Sequence, residues 1–185
     1  MRYDVLEKIG EGNRGEVYKV KLEDGTFAAL KWAKNYEIDK EWEILNFLNG
    51  KYAPKPFFRG KKYLVMELIE GKPLKELKGK DFYLLIKDAL KGAFYLDQRG
   101  VFHKQLGRYY HIFKTSDEVK FLDFERAVFT DKPRNFLQII GYYLQRDEKF
   151  DKKSLNKTID LYKKEPLKGL EFARKLIDES INKAF

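Results

Sequence analysis

The chain has 185 residues, 43% of them hydrophobic and 16% aromatic, and no cysteine. That is enough apolar material for a real core, and it excludes wholesale disorder, disulfides and thiolate metal sites. Its 38 basic and 29 acidic residues leave a net charge of +9, which reads either as a solvated basic surface or as an excess that favours a polyanion such as a nucleotide or RNA, while the absence of any long apolar run or apolar signal core argues against a membrane partner and predicts a cytoplasmic protein.

In chain order, alternating apolar residues predict strands at residues 3–9, 16–22 and 26–32, separated by glycine-containing turns. A helix fits residues 38–48, ended by Asn49 and Gly50. The loop YAPKP follows, then short strands at 57–59 and 63–67. Beyond Gly71 the spacing turns helical. Asp81 is the expected N-cap of a helix over 82–98, with Phe82, Leu85, Ile86, Ala89, Leu90, Ala93 and Phe94 as its apolar stripe. A short strand fits 119–122, and helices fit 135–145, 152–163 and 166–183. A β-rich part therefore precedes an α-rich part, with the boundary expected at LIEGKP, residues 68–73.

Several stretches carry chemistry. IGEGNRGEVYKV, residues 9–20, sets Gly10, Gly12 and Gly15 in the spacing G-x-G-x-x-G-x-V. Glycine lets the backbone approach phosphates because no Cβ intrudes. A dinucleotide fold would need a helix after the glycines, and EVYKV reads as a strand. A plain glycine-rich hairpin is the alternative. In FAALKWA, residues 27–33, Ala29 and Lys31 share a strand face. A small residue beside a lysine suits a flat ring next to a phosphate, and a snorkelling edge lysine is the alternative. Glu41 sits on the apolar stripe of its helix and needs a partner, for which Lys31 is the natural candidate. VKFLDFERA ends an apolar strand at Asp123, either as an oxygen ligand for Mg²⁺ or as a turn cap.

In order, these motifs match the protein-kinase set, and the sequence resembles the protein-kinase-like superfamily over residues 3–128. The resemblance implies an α+β, two-lobed fold, with an N-lobe at 1–70 and a reduced helical C-lobe at 71–185. It implies that Gly10, Gly12 and Gly15 cover the ATP phosphates, with Ile9 beside them, and that Val17 and Ala29 flank the adenine. Lys31 would bind the α- and β-phosphates and pair with Glu41. Met66 falls at the gatekeeper position, and Glu67 and Ile69 lie in the hinge segment that meets the purine edge. Asp123 opens DFE, where typical kinases have DFG, and would hold Mg²⁺.

VFHKQLGRYYHIF, residues 101–113, holds both histidines of the chain and no acid. It falls where the family pattern HRDLxxxxN belongs. His103 matches the histidine, Lys104 takes the arginine position, and Gln105 stands where the catalytic aspartate should be. The family asparagine, a metal ligand, falls on Tyr110, or on His111 if the loop is one residue longer. A His–His metal site lacks carboxylate or thiolate companions nearby. Lys104, Arg108, Tyr109 and Tyr110 leave an RNA-associated role open. Glutamine can orient a hydroxyl but cannot take a proton at neutral pH, and Glu125 is a candidate substitute acid. After DFE there is no APE motif and little room for a peptide platform, which resembles the compact atypical kinases of archaea and the Rio- and Bud32-like groups. The resemblance thus implies an atypical serine/threonine kinase using ATP and Mg²⁺ on a protein or small-molecule acceptor, with Lys31, Glu41, His103, Gln105 and Asp123 as catalytic residues. A pseudokinase, binding ATP without useful transfer, is the alternative.

Overall fold

The computed structural model describes residues 2–184, so Met1 and Phe185, the outermost residues of the two expected lobes, lie outside it. The chain divides into two compact units. The first takes the residues up to Glu70 together with Lys120–Ala127, and the second takes Gly71–Val119 and the residues from Val128 onward.

The first unit is built on five strands: β1 (Tyr3–Glu11), β2 (Gly15–Leu22), β3 (Phe27–Ala33), β4 (Pro56–Arg59) and β5 (Tyr63–Glu67). They pair antiparallel in the order β1-β2-β3-β5-β4. Val17 lies opposite Lys31, and Ala29 lies opposite both Lys19 and Met66. Because directly opposed residues share a face and the side-chain period is two, Val17, Ala29, Lys31 and Met66 line one face. Val20, Leu22, Ala28, Leu30 and Val65 fill a core on the other. Helix α1 (Ile38–Leu48) packs against β4 and β5 and buries Ile38, Glu41, Ile44, Leu45 and Leu48. It ends as expected: Asn49 adopts a left-handed conformation with φ 44° and donates its N–H to the Leu45 carbonyl.

The second unit is mainly helical. Helix α2 (Gly79–Gln98) packs on α3 (Asn135–Ile139) and α5 (Pro166–Ala184), and α4 (Lys152–Lys164) packs on α5. Helix α2 starts earlier than expected. Lys78 occupies the N-cap position and Asp81 lies in the first turn, so the expected Asp81 cap is corrected. An acid within that turn still complements the helix dipole. The single helix expected over 135–145 changes character partway: α3 gives way to a π-helical turn, Ile140–Leu144, closed by the Gln145 N–H on the Ile140 carbonyl at 3.0 Å. Asp151 caps α4 by accepting from the Ser154 N–H at 2.8 Å. Two short ladders pair β6 (Lys72–Pro73) with β8 (Ile112–Lys114) and β7 (Val101–Phe102) with β10 (Val128–Phe129). Strand β9 (Val119–Phe121) leads into the segment that belongs with the first unit. A β-sheet region is thus followed by helices, the α+β arrangement of a kinase-like fold. No helix among the described residues is long and apolar enough to cross a membrane.

Candidate functional site

In the first unit the site centres on Lys31. Its strand face puts it opposite Val17 and Leu64, and its buried ammonium sits among acids. Nζ lies 2.9 Å from Glu41 Oε1 and 2.8 Å from Asp123 Oδ1, both hydrogen-bonding distances, and 3.7 Å from Glu125 Oε2. Burial alone would lower the Lys31 pKa, but the charges of Glu41 and Asp123 outweigh it and raise the pKa above the usual lysine range. Lys31 is therefore a fixed cation. The Tyr36 hydroxyl donates to Glu41 Oε2 at 2.7 Å, so both carboxylate oxygens of Glu41 are engaged. Burial and the Glu41 charge push the Tyr36 phenol upward, which keeps it a donor. Asp123 has φ 66°, an unusual conformation for a non-glycine residue, and its side chain remains 31% exposed. Burial, and then the neighbouring Asp123 charge, raise the pKa of Glu125.

The glycine loop joins β1 to β2. The Gly12 N–H donates to the Gly15 carbonyl at 2.9 Å, and the Arg14 carbonyl accepts from the Lys34 N–H at 2.8 Å. Its glycines have different reasons to be glycine. A Cβ on Gly15 would come within 2.5 Å of the Trp32 carbonyl oxygen, so the close approach of β2 to β3 demands glycine there. Among the described residues a Cβ on Gly12 would meet nothing within 4 Å, and one on Gly10 only Val17 at ordinary contact distance. Packing therefore does not account for Gly12, whereas a ligand lying against the loop would. Gly15→Ala is expected to cost about 1–3 kcal/mol of stability by overpacking against backbone. Gly12→Ala should leave stability within about 0.5 kcal/mol, as an unconstrained surface change does, while weakening nucleotide binding. Denaturant melts and nucleotide titrations of the two variants separate these effects.

The remaining residues of the first-unit set are spread around the sheet. Ile9 is exposed near the end of β1, Ala29 is buried, and Met66 is half-buried beside it in the ladder. Glu67 donates its N–H to the Lys55 carbonyl at 2.8 Å, its Oε2 accepts from the Lys55 N–H at 3.0 Å, and Lys120 lies 3.5 Å from the same oxygen. Ile69 follows in an irregular, half-buried segment.

In the second unit the loop at 101–113 is clamped through its backbone. The His103 N–H donates to Asn135 Oδ1 at 2.9 Å, and Asn135 Nδ2 donates to the Val101 carbonyl at 2.6 Å and to Asp97 Oδ1 at 2.7 Å. Asp97 Oδ2 in turn accepts from the Tyr162 hydroxyl at 2.6 Å. Gln138 accepts from the Leu106 N–H at 3.0 Å and donates to the Lys104 carbonyl at 2.9 Å. The Tyr143 hydroxyl donates to the Leu106 carbonyl at 2.7 Å. Lys104 is held at φ 71°. The Gln105 N–H donates to His103 Nδ1 at 3.2 Å, and His111 Nδ1 lies 3.2 Å from the Gln105 carbonyl. Against this well-paired background, Gln105 is only 9% exposed and its side-chain Oε1 has no hydrogen-bond partner among the described residues. A buried, unpaired acceptor is costly to leave so.

The structure therefore brings Lys31, Glu41, Asp123 and Glu125 together, and separately holds His103, Gln105 and His111 in one clamped loop. Arg14 and Tyr36 belong to the first group and were not anticipated from sequence; nor were Asp97, Asn135, Gln138 and Tyr143, which fix the loop. Asn135 and Gln138, three apart on an apolar helix, were the available signal. The donors fit magnesium in a limited way: it prefers oxygen and needs only one or two carboxylates when phosphates complete its shell. Asp123 meets that requirement. His111 offers an imidazole, buried beside the Gln105 carbonyl, and does not suit such an ion. No group of three metal-ligating side chains occurs among the described residues.

Comparison with known proteins places the sequence in a family. A RIO domain profile matches residues 16–157. The chain is 28% identical over 133 residues to mitogen-activated protein kinase kinase 8 of Arabidopsis thaliana, covering 65% of this chain and 43% of that one. It is 26% identical over 144 residues to serine/threonine-protein kinase pakH of Dictyostelium discoideum, covering 66% and 28%. With tyrosine-protein kinase Fer of Homo sapiens the figures are 29% over 139 residues, 64% and 17%. The chain thus spans less than half the length of each of these relatives. The profile covers well over half of the sequence, so the chain belongs to the RIO domain family within the protein-kinase-like superfamily.

Proposed function

We propose that the chain is a kinase-like phosphotransferase of the atypical serine/threonine type, binding ATP with Mg²⁺ and passing the γ-phosphate to a protein or small-molecule hydroxyl. The observation that carries this reading is the buried Lys31 ammonium, held within hydrogen-bonding distance of both Glu41 and Asp123. Phosphoryl transfer depends mainly on positioning and charge stabilisation. A lysine kept charged by Glu41 supplies a fixed positive centre for phosphate oxygens. The left-handed turn at Asp123 is the kind of backbone strain retained where a side chain must be aimed. The open space at Gly12 leaves room for the phosphate chain. Bound magnesium would neutralise phosphate charge, with Asp123 as its protein ligand. Gln105, where the resemblance puts the catalytic aspartate, would orient the acceptor hydroxyl without taking its proton.

A second reading, an ATP-binding module without useful transfer, is favoured by that same Gln105, because an amide oxygen cannot take the acceptor's proton at neutral pH. Radiolabelled ATP with the purified chain and a panel of acceptors tests the choice. Transfer should fall by at least about 10²-fold in Lys31→Ala and in Asp123→Ala, the usual loss on removing one preorganised electrostatic group. Calorimetric ATP binding with no transfer to any acceptor selects the second reading, and no binding sinks both.

A further inference from the structure

The carboxylate of Glu125 lies between two cations, one oxygen facing each. Oε1 is 3.6 Å from Arg14 Nε in the glycine loop, and Oε2 is 3.7 Å from Lys31 Nζ. The side chain is only 9% exposed, so this is not a loose surface pair. The residue stands where typical kinases have the glycine of DFG, a position that needs no carboxylate. Arg14 is itself held in place. Its guanidinium lies 5.0 Å from the Tyr36 ring centroid, Tyr36 is tied to Glu41, and the Arg14 carbonyl is fixed by the Lys34 N–H. A guanidinium held over an aromatic ring beside an ammonium is a phosphate-binding arrangement, since the arginine fork matches phosphate oxygens.

We propose that Glu125 is an internal counter-anion in the seat of a nucleotide phosphate, and that Arg14 is the second cation, beside Lys31, that the phosphate engages when it displaces Glu125. This rests on the reading that the site binds ATP. Distances decide which carboxylate gives way. Glu41 and Asp123 make direct hydrogen bonds to Lys31 at 2.9 and 2.8 Å. Both Glu125 contacts exceed hydrogen-bonding distance. An incoming polyphosphate therefore exchanges most readily with Glu125, and the Lys31–Glu41 pair stays intact. The glycine loop is released from its tie to Glu125 in the same event, so nucleotide binding and loop position are coupled through Arg14.

The test is calorimetric titration of the full chain with the non-hydrolysable analogue AMP-PNP, once with excess EDTA and once with excess Mg²⁺. Glu125→Gln keeps the size of the side chain and removes its charge, and Glu125→Gly supplies the family residue. Both should bind about 5- to 20-fold more tightly than wild type in both conditions, the scale of one charge-assisted contact. Arg14→Met should bind more weakly by a similar factor, and the gain from Glu125→Gln should shrink in the Arg14→Met background. Thermal melts check that the variants fold. If wild type binds and Glu125→Gln binds equally well, the counter-anion role is wrong while the nucleotide reading stands. Weaker binding of Glu125→Gln confined to the Mg²⁺ condition makes Glu125 a metal ligand and likewise overturns the proposal. If neither wild type nor any variant binds AMP-PNP, the nucleotide reading falls and this inference falls with it.

Discussion

Lys31→Met is expected to lower the unfolding free energy by about 3–5 kcal/mol, the usual cost of removing one partner from a buried ion pair. At this chain length that is a fall in melting temperature of roughly 10 °C or more. The loss follows from what remains. The Glu41 side chain is 2% exposed and would be left with Tyr36 as its donor but with no cation. Asp123, whose side chain is 31% exposed, can turn to water and loses less. Glu41→Leu should cost less than Lys31→Met, because Lys31 keeps Asp123 at 2.8 Å and Glu125 at 3.7 Å. The double variant Lys31→Met with Glu41→Leu should recover most of the deficit, since replacing both members of a buried pair by apolar groups is often close to neutral. Differential scanning calorimetry of the four-member cycle measures this. A Lys31→Met variant within 1 kcal/mol of wild type would show that Glu41 is stabilised by something other than the ammonium.

That pair was readable in the sequence for a physical reason. Glu41 falls in register with Ile38, Leu45 and Leu48, so the helix has to bury a carboxylate, and a buried carboxylate needs a partner. Helix α1 begins and ends where its periodicity and Asn49 place it. The strands of the first sheet were legible within a residue or two, because alternation and glycine turns are local signals. Other features depend on contacts that no local pattern carries. The ladders of β6, β7, β8 and β10 are two or three residues long, too short to show a period. The switch from α3 to a π turn is hidden because NFLQIIGYYL has an ordinary helical stripe; the widened turn coincides with Gly141 and with Tyr143, whose hydroxyl reaches the Leu106 carbonyl. Arg14 reads as one more loop cation until its neighbours Glu125 and Tyr36 are known. The direction of the Glu125 side chain is not carried by any local pattern; the left-handed turn at Asp123 precedes the orientation that faces Lys31 and Arg14.

On the proposed phosphotransfer, Gln105→Asp should raise the turnover rate by about 10²-fold, within the usual contribution of a positioned general base. The backbone of its loop is clamped by Asn135, Gln138 and Tyr143, so the change is confined to one side chain. In wild type a glutamine can orient a hydroxyl by hydrogen bonding, but it cannot carry the proton away. A carboxylate does both. Aspartate is one methylene shorter than glutamine, so Gln105→Glu, which keeps the reach, is the companion variant. If proton removal is what wild type lacks, at least one of the two gains rate, and the gain carries a signature. The new base acts only when ionised, so the rate of the active variant should fall as pH drops through its carboxylate pKa. Wild type should show no such limb from this position. Nucleotide affinity should change little, because the residue acts on the acceptor. If both variants fold, bind nucleotide and transfer no faster than wild type at any pH, then Gln105 is not at the acceptor position, and its buried, unpaired oxygen needs another explanation.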